Sequence, residues 1–414
     1  MTPTVILYVI LSILAFDFFL ERILDVLNLR NWTPELPIVL EGIYDQEKYK
    51  KSQDYQRAKY KLSFLSSTIS FIGSFLMIVL GGFAWVDELA RQFTDHPILI
   101  ALLFFGVIML ASSIVGMPFT YYSTFVIEEK YGFNRTTIKT FILDRIKGGI
   151  LGIIIGGGLL ALLIWIYLQT TDNFWWMAWS VLAGFMIFMT MFYSSVIVPF
   201  FNKQTPLEDG ELKSAIEEFA NKADFKLDNV FVMDGSKRSS KGNAYFSGLG
   251  AKKRIVLFDT LINELTTEEI VAVLAHEIGH YQKKHTLSGI ALSLMQTGLM
   301  FYIFSIFIGN PALSEALGSE VHGFHLGLIA FGILYSPIST ILGLIMNVWS
   351  RHNEYQADEF ADVNYNGKAL GDALIKLSIS SLSNLTPHKA YVFFYYSHPT
   401  LLQRLKAINY KKES

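Results

Sequence analysis

The 414-residue chain contains no cysteine. That absence excludes disulfides, thiol nucleophiles and cysteine-ligated zinc sites together. Charge is also scarce: Asp, Glu, Lys and Arg make up 17% of the residues, and the net charge is −2. A balance this close to neutral offers no basic surface for a nucleic acid. Repeats and low-complexity tracts are missing. The first residues, MTPTVILYVI, lack the basic start and the small-x-small cleavage site of a signal peptide, so residues 3–20 read as a retained span.

Apolar residues are what the chain has, at 52% of the whole. They fall in runs of the length a bilayer requires, about 20 residues. Seven runs qualify: 3–20, 62–86, 97–127, 148–168, 174–201, 286–309 and 324–349. Trp85, Trp175, Trp176 and Trp349 stand near their ends, as in an aromatic belt. Asp17 in the first run faces either a bundle interior or the interface. Gly156-Gly157-Gly158 in the fourth reads as a close-packing site. Every lysine and arginine except Arg91 lies in the segments 1–2, 3–4 and 5–6 between runs or in the C-terminal tail. These segments share one side, and the positive-inside bias makes that side cytoplasmic, with the N-terminus outside. The final KKES carries lysines where an endoplasmic reticulum retrieval signal has them, a pattern also common by chance.

Between the fifth and sixth runs stands VLAHEIGHYQKKH, residues 273–285. His276 and His280 are four apart, so a helix puts both on one face with Glu277 alongside. This is the H-E-x-x-H arrangement of zinc peptidases, two ligands and a general base. Thr266-Thr267-Glu268-Glu269 predicts a capping box that starts the helix at about 267. His285 is nine residues from His276, about half a turn round a continuous helix. It therefore reads as an interfacial residue and not a ligand. The third ligand is sought in SRHNEYQADEFADVNY, residues 350–365. Glu354 and Asp358 share a helical face there, either as a solvated acidic stripe or as metal-site residues. Their position on the side of His276, just past a span, favours Glu354 as a ligand and Asp358 as the acceptor of a histidine ligand's free N–H. Continued helices would put the metal at or just inside the cytoplasmic membrane boundary.

Residues 228–262 read as short strands, Val230–Met233, Asn243–Ser247 and Arg254–Phe258, in a small antiparallel sheet. GNAYFSG is chosen as an edge able to pair with an extended peptide, though the pattern fits an internal strand equally well.

Together with FVIEEKYGFN (125–134), FNKQTPLEDGELK (201–213) and YSHPTLLQRL (396–405), these stretches resemble the Ste24-type CaaX prenyl proteases, integral-membrane zinc metalloproteases of the M48 class. The resemblance runs over nearly the whole chain. It implies a mainly α-helical membrane protein, seven transmembrane helices enclosing a chamber, with a gluzincin-like protease domain of helices and a small sheet at the cytoplasmic end. It implies one zinc ion on His276, His280 and Glu354, with Glu277 as general base. His398, by itself a lone histidine before a proline, becomes the group that stabilises the tetrahedral intermediate. Arg404 packs against the site, as do Asn353 and Asp358, and Asn243, Ala244 and Tyr245 lie on the substrate-binding strand. The partners implied are the bilayer and a peptide or protein, prenylated or not at its C-terminus.

The chain divides into 1–201, five spans with their cytoplasmic loops; 202–285, a protease segment with the substrate strand and the H-E-x-x-H helix; 286–349, two spans; and 350–414, a second protease segment. A bacterial inner membrane is the favoured location, with the endoplasmic reticulum as the alternative. Two rival functions are a general quality-control protease of the membrane and a receptor or transporter with a structural metal. Structural zinc normally has four protein ligands, and only three are found here.

Overall fold

The computed structural model describes residues 2–33, 35–38, 41–170, 173–225, 230–248 and 254–411. Among the described residues, seven helical segments are long and apolar enough to cross a membrane: Pro3–Arg30, Gln46–Val79, Pro97–Tyr131, Ile138–Thr170, Phe174–Phe200, His285–Phe307 and Phe324–Ser380. Between 6% and 17% of the most apolar stretch of each is covered by protein. Uncovered apolar surface on this scale belongs in a bilayer.

The second segment departs from its expected bounds. It begins well before residue 62 and stops at Val79, because Gly81 takes a left-handed φ of 67° and restarts the chain as a short helix, Gly82–Arg91. Trp85 therefore sits on that separate helix. Asp17 is tied to the bundle, where Ser336 Oγ donates to its Oδ2 at 2.7 Å and links the first and seventh helices. The Gly156–Gly158 run is not a close-packing site. Added Cβ atoms at Gly156 and Gly158 would meet nothing within 4 Å, and at Gly157 only Leu102 at 3.9 Å. The run instead overlaps and adjoins a π-helical turn, Gly152–Gly157. The KKES end lies mostly outside the described residues.

The sheet has four strands: β1 (Gln204–Pro206), β2 (Val230–Met233), β3 (Ala244–Ser247) and β4 (Arg254–Phe258), in the order β1-β2-β4-β3. It is mixed, not antiparallel throughout. β2 runs parallel to β4, while β1 and β3 pair antiparallel at the two edges. One face of the sheet, with Val230, Ile255 and Leu257, packs on the helix Thr267–Gln282 through Ile270, Leu274 and Ile278. That buried cluster is the core of the peptidase part.

Candidate metal centre and active site

The helix Thr267–Gln282 starts where its capping box places it. Thr266 Oγ1 accepts from Glu269 N–H, and Glu269 Oε2 accepts from Thr266 N–H at 2.8 Å. The seventh span continues without a break into Phe324–Ala361, which carries Glu354 and Asp358. The two helices cross at Gly279. A Cβ there would stand 3.0 Å from Phe360 Cβ and 3.2 Å from Ala357 Cα, so any larger residue would press the helices apart by a few tenths of an ångström.

The approach brings His276, His280 and Glu354 together, with one donor atom of each within 4.8 Å of the others. The two Nε2 atoms are 3.1 Å apart. Glu354 Oε1 lies 3.2 Å from His280 Nε2, and Oε2 lies 3.5 Å from His276 Nε2. Glu354 is 4% exposed, and its Oε2 is a buried acceptor with no hydrogen-bond partner. A buried carboxylate with each oxygen turned to an imidazole nitrogen, one of those oxygens lacking a hydrogen bond, fits a divalent cation held by all three side chains.

Behind His276 stands a second layer of charge. His276 Nδ1–H donates to Asp358 Oδ1 at 2.9 Å. Arg404 grips the same carboxylate through Nε at 2.8 Å and Nη2 at 2.6 Å. Arg404 Nη2 also lies 3.3 Å from His276 Nδ1, and a ring whose Nε2 is kept bare for a metal carries its hydrogen on Nδ1, where it donates to Asp358. Asp358 is fully buried, and breaking a buried pair of this kind costs about 3–5 kcal/mol. Burial and the Arg404 cation depress the His276 pKa. The neighbouring Asp358 and Glu354 carboxylates prevail and push it up to about 9. The pocket is built to favour positive charge at this point.

His398 comes from the segment between the helices Lys389–Tyr395 and Leu401–Ala407. Arg351 anchors that segment by donating to Tyr396 O. His398 Nε2 lies 3.3 Å from Glu354 Oε1 while its side chain stays 62% exposed. Glu277 lines a cleft of about 270 Å³ with Phe246, His280, His285, Trp349 and Asn353. Asn353 is thus in the cleft wall beside Glu277.

β3 pairs with β4 only, which leaves its other edge open among the described residues. Phe258 N–H donates to Asn243 O at 3.0 Å, so Asn243 and Phe258 form a hydrogen-bonded pair. Alternation then turns the main-chain groups of Tyr245 and Ser247 toward β4, and those of Ala244 and Phe246 outward. The side chains divide too. Phe246 lines the cleft, whereas the Tyr245 hydroxyl reaches Ser194 Oγ at 3.3 Å at the end of the fifth span. Sequence reasoning named Tyr245 and passed over Phe246.

His285 lies outside the cluster of His276, His280 and Glu354, but the helix geometry used to read it differs. The H-E-x-x-H helix ends at Gln282, and Lys284 takes a left-handed φ of 60° before a new helix begins at His285. The angle counted along a continuous helix does not apply. His285 turns back and is buried, with Nδ1 3.0 Å from His280 Nδ1.

Comparison with known proteins agrees with this geometry. Residues 25–203 match the CAAX prenyl protease N-terminal family with its five membrane helices, and residues 206–412 match peptidase family M48. CAAX prenyl protease 1 of Saccharomyces cerevisiae is 38% identical over 405 residues, covering 92% of this chain and 89% of its own. The CAAX prenyl protease 1 homolog of Mus musculus is 35% identical over 427 residues, covering 92% and 90%. The crystal structure of S. mikatae Ste24p superposes with a TM-score of 0.94 at 37% identity, covering 98% of this chain and 99% of that one.

Proposed function

We propose that this chain, which belongs to the Ste24-type CaaX prenyl proteases of peptidase family M48, uses one zinc ion on His276, His280 and Glu354 to cut membrane-associated polypeptides near their C-termini. It is an integral, multi-pass membrane metalloprotease. The observation that carries the finer reading is the convergence of two imidazole Nε2 atoms on the buried Glu354 carboxylate, His280 on Oε1 and His276 on Oε2. Three protein donors leave open the fourth position that catalytic zinc uses.

When bound, zinc supplies the Lewis acidity that acidifies a water and polarises the scissile carbonyl. Glu277 takes the water's proton on its carboxylate and hands it to the leaving amine. His398 Nε2–H donates to the oxyanion that develops as the carbonyl is attacked, and its exposure leaves it within reach of substrate. Asp358 and Arg404 hold the His276 ring. The outward N–H and C=O groups of Ala244 and Phe246 pair with the substrate's main chain, with Asn243 at the start of the strand. The substrate is a peptide or protein with a C-terminally prenylated CaaX-type end. The one-sided distribution of lysine and arginine supports a site on the cytoplasmic side. The relatives come from yeasts, plants, a slime mould and mammals, and this favours the endoplasmic reticulum over the bacterial inner membrane that the sequence alone suggested.

Glu277→Gln tests the mechanism. Glu277 lies next to a ligand without being one, so the variant keeps one zinc per chain by metal analysis. It loses at least about 10²–10⁴-fold in peptide cleavage. Near-normal turnover in a fully metallated variant would sink the assignment.

A further inference from the structure

Behind His280 runs a line of polar side chains that the reaction as described does not use. His280 Nδ1 lies 3.0 Å from His285 Nδ1. His285 Nε2 lies 2.8 Å from Gln356 Oε1. Gln356 Nε2 lies 3.2 Å from the Nε2 of His352, which is exposed at the surface. His285 is 8% exposed, so an unmade hydrogen bond on its ring would be costly.

The order of donors and acceptors follows from the amide. Gln356 Oε1 can only accept, so His285 Nε2 carries the hydrogen. A neutral His285 then has a bare Nδ1, which accepts from His280 Nδ1–H. With its hydrogen on Nδ1, His280 presents a lone pair at Nε2, the atom 3.2 Å from Glu354 Oε1. At the other end of the line, Gln356 Nε2–H donates to His352 Nε2 in this orientation. Turning the amide over would reverse every bond in the line and put a hydrogen on His280 Nε2, where a metal could not bind. His276 needs no such device, because Asp358 already accepts from its Nδ1. The two histidines are thus fixed by different means, one by a buried carboxylate and one by a neutral relay.

We propose that His285, oriented by Gln356, is a positioning residue that fixes His280 in the Nδ1–H tautomer and so presents its Nε2 lone pair to the metal. This rests on the metal-site reading above and extends it. Because the relay is neutral, it orients the ring without adding charge to the site. Its loss weakens metal binding without removing a ligand, by about 10–100-fold as for other supporting partners of metal ligands.

The test is zinc affinity of the full-length protein in detergent, by competition with a chromogenic chelator, together with melting of the zinc-free protein. His285→Leu removes the acceptor and is expected to weaken zinc about 10–100-fold. His285→Asn places an amide oxygen near the former Nδ1 and is expected to restore affinity to within about threefold of wild type, well short of that loss. Zinc-free melting temperatures of the two variants stay equal. A merely structural His285 would instead leave Asn as weak as Leu, and that result overturns the proposal, as does wild-type affinity in His285→Leu. If His285→Leu does not fold, Gln356→Leu and Gln356→Glu decide. The first weakens zinc about tenfold, and the second, which keeps the acceptor, does not. Equal affinities in that pair overturn the proposal. Wild-type protein that holds no zinc would sink the metal reading itself, whereas zinc-loaded wild type with unaffected variants sinks the relay alone.

Discussion

Gly279 shows how much one residue decides at this site. It lies between the two histidines, and its missing side chain lets the H-E-x-x-H helix touch the backbone of the helix that carries Glu354. Alanine would gain about 1 kcal/mol of helix propensity. It would also force a Cβ against Ala357 Cα at 3.2 Å and Phe360 Cβ at 3.0 Å, and overpacking costs about 1–3 kcal/mol. Gly279→Ala should therefore lower the melting temperature of the zinc-free protein and weaken zinc binding with it. A variant that melts at or above wild type would show that the helices are not held at their closest approach. The sequence reveals His276, Glu277 and His280 by their spacing, and Glu354 by its face and its side of the membrane. It does not reveal Gly279, since any residue fits the pattern at that position. His285 stayed hidden for a different reason. Its place depends on a left-handed residue at Lys284, a position where lysine has no special preference for that conformation.

At the scale of the element, β2, β3 and β4 were legible from apolar, β-branched and aromatic runs between glycine and serine turns. β1 was not, because three residues ending in proline carry no alternation to read. The parallel pairing of β2 with β4 was not legible either. It depends on β3 leaving β2 to join the far side of β4, a choice made by packing on the helix Thr267–Gln282. The observed register sharpens what the open edge predicts. Phe246 N–H points outward, so Phe246→Pro removes a donor offered to substrate while leaving the β4 ladder intact. One main-chain hydrogen bond is worth about 0.5–1.5 kcal/mol, so kcat/KM for a peptide should fall about 2–13-fold, with more lost if proline's fixed φ bends the edge. Phe246→Leu, with its N–H in place, should stay near wild type. Tyr245→Pro strikes the bonded side of the strand and should show first as a lower melting temperature. Equal cleavage by wild type and a folded, metallated Phe246→Pro would mean that substrate does not bind along this edge.

For the whole molecule, the length and the apolar runs disclosed seven helices able to cross a membrane, and the one-sided distribution of lysine and arginine is the basis of the proposed orientation. Composition could not show where one helix continues and another breaks. Phe324–Ala361 runs unbroken from the membrane to Glu354, whereas the helix of His276 and His280 ends before the sixth span begins. Glu354 thus sits on a helix continuous with the seventh span, while His276 and His280 belong to a helix of the sheet-packed core. On the proposed reading, a membrane-anchored chain end would be delivered to their meeting point. The measurement that tests this most directly uses matched CaaX-type peptides, with and without a farnesylated cysteine. Products are identified by mass spectrometry before zinc removal by a chelator, after it, and after zinc is restored. The account predicts release of the three residues that follow the farnesylated cysteine, loss of that activity on chelation and its return with zinc. Peptides left whole by zinc-loaded protein, or cleavage that continues at full rate after the metal is gone, would contradict it.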